Sequence, residues 1–154
     1  MVNKLLGRSG HAMSKRRLLI LALTVTAVAA VFALAAPLVK RKVQSAGCSN
    51  TMGAICCAAR IWAGDGDGHF PSDFLSMSNE LNTPKVLICP GDHSRQPAAS
   101  WATFTPADSS YEIVTPGLQD SDTNNVFVRC KIHGHLGYAD CAVLDEANRR
   151  RKIP

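Results

Sequence analysis

LLILALTVTAVAAVFALAAPLV, residues 18–39, is a run of 22 residues without a charge. At 1.5 Å rise per residue it makes a helix about 33 Å long, enough to cross a hydrocarbon core of roughly 30 Å. Lys15, Arg16 and Arg17 bound it on one side and Lys40, Arg41 and Lys42 on the other, so both edges are sharp. Five basic residues precede the run and three follow it, a bias toward a cytoplasmic N-terminus. A cleavable signal peptide would use the small-residue pattern Ala33-Leu34-Ala35. Pro37 beside that cut, and an apolar run longer than the usual span of about 7–15, argue against it. A lipoprotein signal at Ser45-Ala46-Gly47-Cys48 is disfavoured because Lys40, Arg41 and Lys42 separate the cysteine from the apolar run. The stretch reads as a permanent transmembrane helix.

Pro37 removes one backbone donor near the end of the span and is expected to kink the helix without ending it. Beyond it, Cys48, Met52, Ile55, Cys56, Ala59 and Trp62 recur at spacings of three and four, which is one apolar stripe on a helix. The two halves read as a single helix over roughly residues 16–63, with Met52, Ile55, Ala59 and Trp62 as its packing face.

The remaining composition fits one small domain. The chain has 154 residues, 46% hydrophobic and 6% aromatic, with no repeat, so neither a multidomain enzyme nor a disordered chain is indicated. The net charge of +5 is unevenly spread: residues 1–42 carry +8, residues 149–152 carry +4, and residues 43–148 carry −7. The body is therefore acidic, and a nucleic-acid partner is disfavoured. Gly64 is expected to stop the helix, and Ser72 to cap a short helix near 73–81. Strands are expected at 86–89, 111–115 and 126–130, with a hairpin from 136–139 and 142–144 around Asp140-Cys141. Residues 92–109 read as a surface loop. The fold class is α+β, with a long N-terminal helix packed on an antiparallel sheet of about four strands. Its divisions are a basic cytoplasmic segment (1–17), the span (18–39), an amphipathic continuation (40–63), a head (64–148) and a basic tail (149–154).

Specific residues carry a resemblance: Cys48-Ser49-Asn50, Trp62, Asp65 to Pro71, Phe74 to Leu81, Leu87-Ile88-Cys89-Pro90, and Arg129-Cys130-Lys131-Ile132-His133-Gly134-His135. With the helix-then-sheet order, these resemble the bacterial type IV pilin-like family, in particular type II secretion pseudopilins related to general secretion pathway protein G. The resemblance covers roughly residues 18–145. It implies a pilin-like fold and a single-pass protein of the bacterial inner membrane with its head in the periplasm. It implies a structural subunit of a secretion or pilus-like assembly, whose partners are membrane lipid and other pilin-like subunits. Two departures stand out. The family's Gly-Phe-Thr-Leu-Ile-Glu processing signal is absent, and Ile20 occupies the place of its glutamate, so an anchored relative outside filaments is expected. Cys141 stands where relatives carry the glycine of an Asp-Gly turn, a position that favours positive φ.

Six cysteines occur, at 48, 56, 57, 89, 130 and 141. Cys89 and Cys130 each end an expected strand and match cysteines of the resembled subgroup. A disulfide between them is expected, worth roughly 3–4 kcal/mol in the chain-entropy model. The alternative is a zinc site drawn from Cys89, His93, Cys130, His133 and His135, which would make the protein an anchored metal-binding or redox-sensing domain. Asp65-Gly66-Asp67-Gly68 fails the EF-hand calcium template at His69, Phe70 and Ser76, and Asp120 with Asp122 is a weak second calcium candidate. No catalytic motif is present, and no enzymatic activity and no resident cofactor are expected.

Overall fold

A computed structural model describes residues 15–145; the basic tail at 149–154 and residues 1–14 lie outside the described part. Helix α1 (Lys15–Asp65) is one helix that continues through Pro37. The chain forms two compact units that divide between Val39 and Lys40, where the uncharged run gives way to three cations. In the first unit, side chains along the apolar run are exposed, with Phe32 at 72% and Leu34 at 75%. Thr24 and Thr26 donate their hydroxyls to the carbonyls of Leu21 and Leu23, each at 2.9 Å. No polar side chain in the run is thus left without a partner for an apolar medium.

The second unit is an α+β head. Strands β1 (Tyr111–Ile113), β2 (Val126–Cys130), β3 (His135–Tyr138) and β4 (Val143–Asp145) form an antiparallel meander in the order 1-2-3-4. Val126 pairs with Tyr138 but Val128 with Gly137, so the register slips between them. The slip is a bulge, and it lets Phe127 and Val128 both join the core. The C-terminal part of α1 buries Cys48, Met52, Ile55, Cys56, Ala58, Ala59 and Ala63, while Trp62 is only partly buried against that core. Each fully buried large side chain, such as Met52 or Ile55, is worth about 1.5–3 kcal/mol. Phe70 meets Phe127 edge-on, with centroids 4.8 Å apart at 88°.

Three local expectations are corrected. The strand expected at 86–89 does not form: residues 84–87 make a 3₁₀ turn, because Pro84 starts it and the Thr83 hydroxyl accepts from Lys85 N–H. Ser72 caps no helix: the Asp73 carboxylate closes a turn onto Ser76, and the short α2 begins only at Ser78 (Ser78–Leu81). Gly64 does not end α1. Gly68 does, in the left-handed conformation (φ 80°), with its N–H on Ala63 O at 3.0 Å. In the β3–β4 turn Cys141 takes φ 64°, the conformation its glycine-like position demands.

Helix and sheet touch most closely at Gly137. A Cβ there would lie 2.7 Å from Cys56 Sγ, 2.8 Å from Val128 Cγ1 and 3.0 Å from Met52 Cγ. Gly137→Ala is expected to destabilise the head by about 1–3 kcal/mol through overpacking. Gly53 has nothing within 4 Å of such a Cβ, so Gly53→Ala is expected to stabilise by about 0.5–1 kcal/mol. Urea unfolding of the detergent-solubilised chain, followed by tryptophan fluorescence, measures both.

Candidate metal centre

Three sulfurs and one imidazole converge inside the head. Cys48 comes from α1, Cys89 follows the 3₁₀ turn, Cys130 ends β2, and His133 lies in the turn leading to β3. One ligand atom from each lies within 4.8 Å of the other three, and the three cysteines are buried. His133 Nδ1 is 3.1 Å from Cys89 Sγ. The Tyr111 hydroxyl donates to Cys48 Sγ at 3.7 Å.

Two tight turns present these atoms. After β2, Gly134 adopts φ 68° and gives its N–H to Cys130 O at 3.0 Å. The same turn points the N–H groups of Ile132 and His133 at Cys130 Sγ, each at 3.4 Å. In the other turn, Asp92 N–H closes onto Cys89 O at 2.8 Å. Gly91 lets this turn come close to the His133 ring: a Cβ would fall 2.6 Å from His133 Cε1 and push the ring aside.

Charge at the cluster is set by these contacts. The Cys130 pKa is lowered to about 5, mainly by the hydrogen bond from Cys48 and further by the His133 and Ile132 N–H groups, against the opposing effect of burial. Cys48 is raised, first by its hydrogen bond with Cys130 and then by burial. Cys89 is raised mainly by burial, with the Gly91 N–H opposing. The two N–H groups aimed at Cys130 Sγ favour a thiolate there, and thiolate is the form that binds metal.

A buried polar clasp supports both turns. Ser110 Oγ accepts from Cys89 N–H at 3.0 Å and donates to Asp92 Oδ2 at 2.7 Å. Its N–H bonds Leu87 O and its carbonyl accepts from Lys131 N–H, both at 2.9 Å. Asp92 also accepts from Ser94 N–H at 2.9 Å, from the Ser94 hydroxyl at 2.7 Å and from Arg95 Nη1 at 2.6 Å. Burial alone would raise this carboxyl's pKa; the donated hydrogen bonds from Ser94, Ser110 and Arg95 outweigh it and hold the group well below the usual carboxylate range.

The cysteines and histidines singled out in the sequence do not all meet. Cys89 and Cys130, expected to pair as a disulfide, share their site with a third sulfur, that of Cys48. His93 is exposed, 3.3 Å from the Gln44 amide. The buried His135 stacks on His133, with centroids 5.5 Å apart, but turns its Nε2 to Asp145 Oδ1 at 2.7 Å and Ser45 Oγ at 3.1 Å. Neither is in the cluster. The calcium candidates lie on adjoining loops, since Phe70 N–H bonds Leu118 O and Asp120 N–H bonds Gly68 O. Among the described residues, no three of those acids come together as a ligand set. Cys48, Ser110 and Asp92 are what sequence reasoning missed.

No protein-family model matches this chain, and no curated protein and no solved structure matches it.

Removing the clasp strands buried partners. Ser110→Ala is expected to cost about 1–3 kcal/mol, because Cys89 N–H loses its acceptor and Asp92 one donor. Asp92→Asn is expected to cost about 1.5–3 kcal/mol through loss of charge-assisted bonds. Urea unfolding of each variant checks the pair.

Proposed function

We propose that the protein is a membrane-anchored, pseudopilin-like structural subunit. Residues 18–39 form its anchor, and the head contributes surface to neighbouring subunits of a secretion or pilus-like assembly. The observation that carries this reading is the double character of α1. Its N-terminal part is long and apolar enough to span a membrane and has no part of that span buried. Its C-terminal part supplies the buried face of a small antiparallel-sheet head. Exposed apolar surface on this scale marks a lipid or protein contact. With Ile20 in place of an acid, the span holds no charge that would have to meet a partner's cation within lipid. Association of the span with neighbours then rests on packing alone. The flanking cations and the family resemblance favour an anchor in a bacterial inner membrane, with the N-terminus cytoplasmic and the head periplasmic.

The chain is expected to remain in membrane pellets through alkaline carbonate and to leave them in detergent. Val28→Arg, at the middle of the span, is expected to add about 2.5–3.5 kcal/mol to insertion and lower the retained fraction. Full-length chain in the aqueous fraction without detergent overturns the anchor. A photo-reactive residue at position 32 is expected to cross-link to neighbouring protein in intact cells. Adducts to lipid alone overturn the subunit role and leave the anchor standing.

A further inference from the structure

We propose that Cys48, Cys89, Cys130 and His133 bind one zinc ion that fastens α1 to the two turns of the head. The donor chemistry comes first. Three sulfurs and one imidazole nitrogen are a complete tetrahedral set for Zn²⁺, and sites closed in this way are structural. Zinc bound at about 2.3 Å from sulfur and about 2.0–2.1 Å from nitrogen holds its donors roughly 3.5–3.8 Å apart. The donors here already lie within 4.8 Å of one another, with His133 Nδ1 3.1 Å from Cys89 Sγ. Shifts of an ångström or less in the side chains complete the geometry.

The surroundings favour an ion over a disulfide. Three sulfurs meet, so any one disulfide among them leaves a buried thiol beside it and a ring nitrogen facing the pair. Cys130 Sγ receives two backbone N–H groups from its own turn, as a thiolate ligand requires of its outer shell. The Cys130-Lys131-Ile132-His133 spacing delivers two donors from one turn closed by Gly134. Gly91 lets the second turn approach the His133 ring, and Ser110 ties the two turns together. Each thiol that binds releases its proton to solvent, and no electron transfer is involved.

The consequence is a cross-link among three segments far apart in sequence, in a head with few aromatics. Small domains commonly add such a staple, and its binding free energy becomes folding free energy. This inference does not rest on the proposed anchoring. Fractionation tests the one and metal analysis the other.

The full chain, purified in detergent under a phosphine reductant, is titrated with Zn²⁺ against a chromophoric chelator and, separately, with Co²⁺. The expected result is one zinc per chain, with a cobalt spectrum whose sulfur-to-metal charge-transfer intensity corresponds to three thiolates. Cys48→Ser and His133→Ala are expected to weaken binding by more than the roughly 10–100-fold that outer-shell changes cost. Cys57→Ser, at an exposed position outside the cluster, is expected to leave it unchanged. Should either ligand variant fail to fold, the cobalt spectrum of the unaltered chain still counts the sulfurs. Failure to take up zinc, or a cobalt spectrum without thiolate bands, overturns the proposal. So does a disulfide joining any two of Cys48, Cys89 and Cys130 in cells alkylated at lysis and mapped by mass spectrometry.

Discussion

The close approach of α1 to the sheet at Gly137 is the constraint on which the rest of the head depends. Met52 and Cys56 press on a strand position with no room for a Cβ, and that contact fixes the depth of the helix. Cys48, Met52 and Cys56 sit four residues apart, on one ridge of the helix. Setting the depth at 52 and 56 therefore also sets Cys48 one turn further along, beside Tyr111 and within reach of Cys89 and Cys130. A bulkier residue at 137 would lift the ridge and withdraw one sulfur from the cluster. Packing and ligand geometry are here one problem with one solution.

Most of the fold was legible because its signals are local. The period of three and four in 48–62 gave the buried face of α1, and the strand expected at 126–130 is β2 residue for residue. The short apolar run at 86–89 fits strand and helix alike; Pro84 and the Thr83 hydroxyl make 84–87 a 3₁₀ turn. The site was legible only in part. Cys89, Cys130 and His133 drew notice by their short spacings, whereas Cys48 is indistinguishable, by periodicity, from a small apolar residue on the packing stripe. Asp92 and Ser110 lie at the ends of a polar stretch, and nothing in composition separates a buried clasp from solvated loop residues. His93 and His135 illustrate the opposite error. They neighbour the donors in sequence, but local hydrogen bonding to Gln44, Ser45 and Asp145 turns them elsewhere.

The charge pattern follows the same division of labour. Cations crowd both ends of the uncharged run, the placement a membrane span would need, since headgroups and water can receive charge and a hydrocarbon interior cannot. Among the described residues of the acidic body, few ion pairs are of consequence. Arg129 and Glu112, directly opposed on β2 and β1, are partly exposed, and such pairs contribute about 0–1 kcal/mol. The pair worth more is Arg95 with Asp92, whose carboxylate side chain is 1% exposed. There the charge does structural work, since it anchors the hydroxyl that holds the Cys89 turn.

Donor spacing along the chain explains why this cluster suits a staple. Cys130 and His133 share one turn, so bringing them together costs almost no loop entropy. Ser110 bonds both the 87–89 segment and Lys131, so Cys89 is carried to the same place by ordinary backbone and hydroxyl hydrogen bonds. Three of the four donors are thus arranged by contacts that need no metal. Cys48 alone arrives by docking of the helix, across a separation of some 40 residues from its nearest fellow donor, where loop closure costs more. An ion that completes its shell only when Cys48 is present binds the docked state and not the undocked one. Its binding free energy therefore falls on the helix–sheet contact at Gly137, the junction with the longest loop to close.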